Sequence, residues 1–120
     1  MVLNYRGSDD TIACVRSLAS STEPLRVVVV DNGSDDGSVA AIRAALPAVE
    51  LIANDTNLGF GAGNNVALER LLADGHDWSL VLNNDTTVEP ETVRAMVAAG
   101  EADDRIGVVG AAVYDASRPA

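Results

Sequence analysis

Hydrophobic and polar positions along the chain fall into blocks that alternate between strand-like and helical periodicity. Val2 to Tyr5 reads as a short strand. Ser8 then suits a helix N-cap, with Asp9 and Asp10 in the first turn where the helix dipole favours acids. Ile12, Val15 and Leu18 follow at helical spacing. Leu25 to Val30 is a β-branched run of the kind found in strands buried on both faces. Ser38 opens a second helix that stops at Pro47. Val49 to Ala53 forms a third strand, and after a glycine-rich turn Val66, Leu68, Leu71 and Leu72 mark a third helix closed by Asp74-Gly75. Trp78 to Leu82 is a fourth strand. Pro90 suits a first helical turn, with Val93, Met96 and Val97 on one face behind it. Ile106 to Val109 reads as a fifth strand, and beyond Tyr114 the chain is polar and expected to fray. Strands alternating with helix-length crossovers predict an α/β fold with a mostly parallel, doubly wound sheet, in one domain spanning residues 1–120.

Composition narrows the function. The 120 residues carry eight Lys+Arg against 18 Asp+Glu, a formal net charge of −10. That balance excludes a free-standing nucleic-acid binder and an anionic-membrane binder. Every one of the cations is Arg, which removes chemistries built on a Schiff-base lysine or a P-loop lysine. Cys14 is the only cysteine, so no internal disulfide and no cysteine metal cluster can form; it reads as a small core thiol. No stretch approaches the ~20 apolar residues of a membrane span, and the first residues carry no basic lead-in of a signal peptide. A cytoplasmic protein is expected, with a peripheral place at the inner membrane face as the variant.

The unusual residues cluster where strands end, which is where open α/β sheets bind ligands. The first strand runs into Asn4-Tyr5-Arg6-Gly7 and the second into Asp31-Asn32-Gly33-Ser34. The third runs into the segment from Asn54 to Asn65, and the fourth into Asn83-Asn84-Asp85. Asx and Gly are ordinary turn formers, but four such clusters on one sheet edge point to a site. Asp31 suits a hydrogen bond to a ribose hydroxyl or a base N–H. Gly59, Gly61 and Gly63 bring bare backbone N–H groups to a helix start, a natural anion site. They do not make the dinucleotide fingerprint, which needs glycine where Asn64 stands and belongs after the first strand. Asn57, Asn64 and Asn65 can donate amide hydrogens to phosphate or sugar oxygens. Asp85, flanked by two amides, forms a hard-oxygen set suited to Mg²⁺ or Mn²⁺ shared with a diphosphate. Tyr5 is placed to stack on a base or to sit as a half-buried aromatic. Trp78 is expected in the core, and His76 has no assigned role.

Other α/β chemistries fail on the residues. A receiver domain needs an acidic pair after its first strand and a lysine after its fifth. A phosphatase of the Asp-x-Asp type needs acids where Asn4-Tyr5 stand. A sugar-activating nucleotidyltransferase needs a glycine-rich first loop and a lysine.

Taken in order, Val2-Leu-Asn-Tyr5, the run from Val28 through Asp31-Asn-Gly-Ser-Asp-Asp-Gly to Ser38, Asn57-Leu-Gly-Phe-Gly-Ala-Gly-Asn-Asn65 and Leu82-Asn-Asn-Asp85-Thr resemble family 2 glycosyltransferases, most of all the rhamnosyltransferase-like branch. The likeness covers essentially the whole chain. It implies the GT-A (Rossmann-like) fold and a nucleotide-diphospho-sugar donor, UDP-, dTDP- or GDP-linked. It also implies inverting transfer to a glycan or lipid-linked acceptor, assisted by Mg²⁺ or Mn²⁺, in polysaccharide or cell-wall biosynthesis. By position, Tyr5 packs on the donor base and Asp31 hydrogen-bonds base or ribose. Asn83-Asn84-Asp85 stands for the family's Asp-x-Asp element, with Asp85 the metal ligand and Asn83 or Asn84 the ribose contact of the nucleotide-sugar. Asn4, Asn32, Ser34, Asn57, Gly59, Gly63 and Asn64 complete the expected donor site. Amides stand where the family carries earlier acids.

The sequence departs from the family where the catalytic base and acceptor pocket lie, after the fifth strand. Asp103, Asp104 and Asp115 are the last acids, Asp103-Asp104 reads as a solvated turn, and the catalytic base is unassigned. The chain thus looks like the donor-binding half of a transferase, with a sheet truncated on its C-terminal side. The alternative is a nucleotide-sugar-binding fragment or subunit without turnover. An uncovered apolar edge predicts self-association or a partner chain. Asp31, Asp35, Asp36 and Asp85 share the strand-end loops, so a dianionic donor needs a divalent cation to approach them.

Overall fold

The computed structural model describes residues 1–115; most of the tail expected to fray beyond Tyr114 lies outside them. Four strands form one parallel sheet: β1 (Val2–Asn4), β2 (Val28–Asp31), β3 (Glu50–Ala53) and β4 (Leu82–Asn83), in the order β3-β2-β1-β4. The helices are α1 (Ser8–Leu18), α2 (Ser38–Ala45), α3 (Phe60–Ala73) and α4 (Thr92–Gly100). Two apolar clusters sandwich the sheet. On one face Val2 and Val29 meet Cys14, Val15 and Leu18 of α1, Ile42 of α2 and Val93 of α4. On the other, Val28 and Val30 meet Ala67 and Leu71 of α3. The alternate residues of the Val28–Val30 run serve opposite layers, as its β-branched composition anticipated.

Strand lengths follow from what each strand has beside it. Leu25 to Val27 stay out of the ladder because β3 begins opposite Val28 and β1 opposite Val29. The fourth strand is shorter than Trp78 to Leu82 for the same reason. β1 begins opposite Leu82, and the further pairing among the described residues is Leu82 N–H to the Met1 carbonyl and the Met1 amino group to the Leu80 carbonyl. Trp78 is not a core residue: it is 38% exposed and lays its ring against Gly100 of α4.

The expected fifth strand is absent among the described residues; Ile106 to Val109 carries no ladder and Val108 is 89% exposed. Its neighbourhood explains this. The short β4 offers little edge to pair with, and Gly107, Gly110, Ala111 and Ala112 bring too little side chain to offset ordering the backbone. Between this segment, β4 and α4 lies a cavity of about 920 Å³, lined by Leu82, Met96 and Val109 among others, with Asp85 contributing to its wall.

Helix starts differ from expectation in an informative way. Ser8 and Ser38 are first helical residues rather than caps, with Gly7 and Gly37 preceding them. At α2 the capping acceptor is Asp36 Oδ1, which takes both the Ser38 N–H (3.0 Å) and its hydroxyl (2.6 Å). These bonds, the hydroxyl's first, hold the Asp36 carboxyl below the usual carboxylate range. At α3 the glycine-rich stretch is helical from Phe60 onward, so Gly61 and Gly63 belong to the first turns.

Candidate functional site

The sheet order places the switch point of the chain's winding between β1 and β4, where ligands of open α/β sheets bind. Asn4 and Asp31 end β1 and β2 in direct register, and Asn83 ends β4.

Asp31 is 1% exposed, and both carboxylate oxygens are engaged: Oδ2 accepts from Asn4 Nδ2 (2.7 Å) and Oδ1 from the Ser34 N–H (2.9 Å). Asn4 is buried as well; its Oδ1 accepts from the Thr11 hydroxyl (2.7 Å), and that hydroxyl accepts in turn from Asn84 Nδ2 (3.1 Å). One chain of hydrogen bonds therefore joins the ends of β2, β1 and β4 through a residue of α1. Buried polar groups of this kind cost free energy unless each is satisfied, so the chain fixes the relative placement of three loops.

Asn32 organises a second set. Its Nδ2 donates to Asn57 Oδ1 (2.9 Å) and the Gly59 carbonyl (3.2 Å); its Oδ1 accepts from the Leu58 N–H (3.0 Å) and Asn54 Nδ2 (3.2 Å). Asn57 Oδ1 also takes the Gly59 N–H at 2.8 Å. The loop after β3 is thus moulded on one buried amide. Gly63 makes room for it, since a Cβ there would lie 3.0 Å from Asn32 Nδ2. Gly33 is more confined: its φ is +76°, and a Cβ would fall 2.4 Å from the Thr56 carbonyl carbon. Asn64 is buried and donates to the Phe60 carbonyl (2.9 Å), leaving Oδ1 with no hydrogen-bond partner among the described residues. No side chain caps the start of α3.

At the lip of the site Tyr5 is exposed, with the Arg6 guanidinium 5.2 Å from its ring centroid. Arg6 has a φ of 54°, unusual for a side-chain-bearing residue. That conformation is secured by its N–H to the Ser34 hydroxyl (2.9 Å) and an ion pair with Asp35 (2.8 Å).

The β4 side is open. Asn83 and Asp85 are exposed, and the Asp85 carboxylate makes no hydrogen bond or ion pair among the described residues. No group of three or more His, Cys, Asp or Glu suited to a metal is found among those residues. One free carboxylate beside amides fits a divalent cation that takes the rest of its oxygens from a ligand and water. It does not fit an all-protein cage.

The expected site residues thus divide. Asn4, Asp31, Ser34 and Asn84 meet in the first network, Asn32, Asn57 and Gly59 in the second, and Tyr5, Asn83 and Asp85 face solvent. Sequence reasoning missed Thr11, and it placed Gly7 and Gly33 in the strand-end clusters without the close approaches that require them. Thr11 had a legible signal: it shares the buried stripe of α1 with Cys14, Val15 and Leu18, and a hydroxyl on such a stripe must find partners.

Comparison with known proteins gives this geometry its context. The glycosyl transferase family 2 model matches residues 1–118. An N-acetylglucosaminyl-diphospho-decaprenol L-rhamnosyltransferase of Mycobacterium tuberculosis is 32% identical, over 82% of this chain and 35% of its own length. The succinoglycan biosynthesis protein ExoO of Rhizobium meliloti is 36% identical, over 85% of this chain and 29% of its own. Among solved structures, S. aureus TarS aligns with a TM-score of 0.66 and 27% identity, over 81% of this chain and 18% of that one. TarS 1-349 in complex with UDP aligns with a TM-score of 0.68 and 25% identity, over 84% of this chain and 32% of that one. The chain spans about a third of the length of the curated relatives it matches. With a four-stranded parallel α/β sheet of the GT-A kind and a family match over nearly its whole length, the chain belongs to glycosyl transferase family 2.

Proposed function

We propose that residues 1–120 are the donor-binding unit of an inverting, metal-dependent glycosyltransferase that uses a nucleotide-diphospho-sugar and delivers to a glycan or lipid-linked acceptor. The observation that carries this reading is the meeting, at the switch point, of a buried, internally hydrogen-bonded Asp31 with a solvent-facing Asp85 carboxylate. The UDP complex of a structural neighbour and the diphospho-linked lipid in the mycobacterial relative's name support it. In this reading Tyr5, backed by Arg6, stacks on the donor base. Asp31 offers base or ribose the lone pairs its two internal bonds leave open, with Ser34 and Asn32 beside it. Its burial requires the Ser34 turn to part for that contact. The uncapped start of α3, with Gly59, Gly63, Asn57 and Asn64 around it, lies toward the diphosphate.

Asp85, next to Asn83 and Asn84, is the residue to hold Mg²⁺ or Mn²⁺, which when bound would offset the charge of the leaving diphosphate. The reaction is a displacement: the acceptor oxygen bonds the anomeric carbon, the bond to the diphosphate oxygen breaks, and a base takes the acceptor proton. No residue is assigned as that base; Asp103 is already paired with Arg105 (2.6 Å).

A second reading is nucleotide-sugar binding without turnover, favoured by the pairing of Asp103, an acid otherwise available as the base, with Arg105. The exposed Val108 and Val113 support self-association or a partner chain. No helix among the described residues is long and apolar enough to cross a membrane. The acceptor's nature would put the site in the cytoplasm, at or near the inner membrane face. Calorimetric titration of UDP, dTDP and GDP, each with and without Mn²⁺ or Mg²⁺, tests the proposal. One nucleotide is expected to bind more tightly with metal; no binding under any condition refutes it. Consumption of the matching sugar donor separates the transferase from the binder.

A further inference from the structure

The first hydrogen-bond network has a direction. Asp31 accepts at both oxygens, from the Ser34 N–H and from Asn4 Nδ2, so Asn4 turns its NH₂ toward it and leaves Oδ1 to face Thr11. The Thr11 hydroxyl must then donate to Asn4, so its oxygen is available only as an acceptor, and it takes the NH₂ of Asn84. The second hydrogen of that NH₂ is directed at the Gly7 carbonyl (3.3 Å). Each donor along Asn84, Thr11, Asn4 and Asp31 is thus set by the carboxylate at the end. The amide assignment of Asn84, otherwise ambiguous between its nitrogen and oxygen, has one solution. Its nitrogen is held inward, and the Oδ1 of this half-buried side chain makes no hydrogen bond among the described residues. Thr11 is 0% exposed and cannot itself meet a ligand.

We propose that Thr11 is a positioning residue of the donor site: it transmits the fixed acceptor state of Asp31 to Asn84, presenting the Asn84 amide oxygen as a second hard-oxygen donor beside Asp85. The proposal rests on the reading of Asp85 as the cation-facing residue. α1 supports the same turn twice more. Cys14 Sγ approaches the Asn83 carbonyl at 3.7 Å, and Gly7 leaves space that a Cβ would take from Asn84 Nδ2 at 2.8 Å. A hydroxyl is the only small group that can accept from one amide while donating to the other, which valine at position 11 cannot do.

The test uses Thr11→Val, nearly isosteric, and Thr11→Ser, which keeps the hydroxyl, in the full chain. Two readouts are taken: the side-chain amide NMR signals of Asn4 and Asn84 without ligand, and the ratio of UDP dissociation constants without and with Mn²⁺. Thr11→Val is expected to move both amide signals and to reduce the metal enhancement ~10-fold, the usual size of an indirect effect on metal affinity. Metal-free UDP affinity should fall by a smaller factor than affinity with metal, and Thr11→Ser should restore the wild-type pattern. Unmoved amide signals, an equal loss of affinity with and without metal, or no rescue by serine would overturn the proposal. If the wild-type chain shows no metal enhancement, the reading of Asp85 fails and the amide signals alone decide the relay. If Thr11→Val does not fold, Gly7→Ala displaces the same amide from the opposite side and must reproduce the loss of enhancement.

Discussion

The two walls of the crevice differ in how they use their polar atoms. On the β2–β3 side, Asp31 and Asn32 are buried and spend their hydrogen-bonding groups on the protein, shaping the Ser34 and Asn57–Gly59 turns. On the β4 side, Asn83 and Asp85 are exposed, and Asp85 makes no hydrogen bond or ion pair among the described residues. Similar residue types, Asn and Asp at strand ends, thus do opposite work. Where two neighbouring strands hem in the loop, the polar groups become scaffold. Where the sheet edge has little beside it, they stay available. On the proposed function, the first wall is tied internally and parts at the Ser34 turn to meet the nucleoside, and the second is left open for the charged, cation-dependent part of the donor.

Breaking the first wall should cost the most stability. Gly33→Ala combines a positive φ with a Cβ 2.4 Å from the Thr56 carbonyl carbon, so the two loops must separate. A loss of about 2–4 kcal/mol is expected in urea unfolding, with the loop after β3 losing amide protection from hydrogen exchange. Asn32→Ala comes next. It strands the Leu58 N–H, the Asn54 amide and the Gly59 carbonyl, and about 2–3 kcal/mol should be lost in the same assay.

A pH dependence follows from Cys14, which lies in the core of α1 against Asn83 of the second wall. Burial pushes its thiol up to about 11. Because the folded value lies above the unfolded one, the contribution to stability is complete below the unfolded value, ~8.5, and is lost as pH rises toward the folded one. The unfolding midpoint should therefore fall across that alkaline window, and Cys14→Ala should remove this component. A profile identical in both proteins would show that the thiol does not sense the fold.

The smallest effect on stability belongs to the second wall. Asp85→Asn removes a carboxylate with no internal partner among the described residues, so the unfolding free energy should change by less than ~0.5 kcal/mol. A larger loss would mean that Asp85 is scaffold too, and the contrast between the walls would collapse.

The contrast also explains what was legible in the sequence. Element order, sheet class and the convergence of four polar clusters at one edge follow from periodicity and from residues whose meaning is local. The fates of Asn4, Asn32 and Asp85 do not, because an amide or carboxylate at a strand end has the same chemistry whether its partner is the protein or a ligand. Only the neighbours decide, and they come from distant segments: Asn4 is satisfied by Asp31 and Thr11, Asn32 by Asn54, Asn57, Leu58 and Gly59. The missing fifth strand is the same lesson in the backbone. Ile106 to Val109 has strand-like composition, yet β4 pairs over only Leu82 and Asn83 and gives it little to join. Capping at α1 departs from the sequence expectation for a subtler reason. Gly7 takes the position before the helix and Ser8 becomes its first residue, because Asn84 occupies the space a side chain at position 7 would need.

The central claim is that a hydrogen-bonded nucleoside wall is joined to a cation-dependent wall whose carboxylate is Asp85. UDP titration of wild type and Asp85→Asn, each with and without Mn²⁺, tests it most directly. Metal-enhanced binding is expected in wild type, with loss of that enhancement in Asp85→Asn and metal-free affinity in the variant equal to or above that of wild type, since one repelling carboxylate is gone. Enhancement that survives Asp85→Asn, or metal-free affinity that falls with it, would contradict the claim.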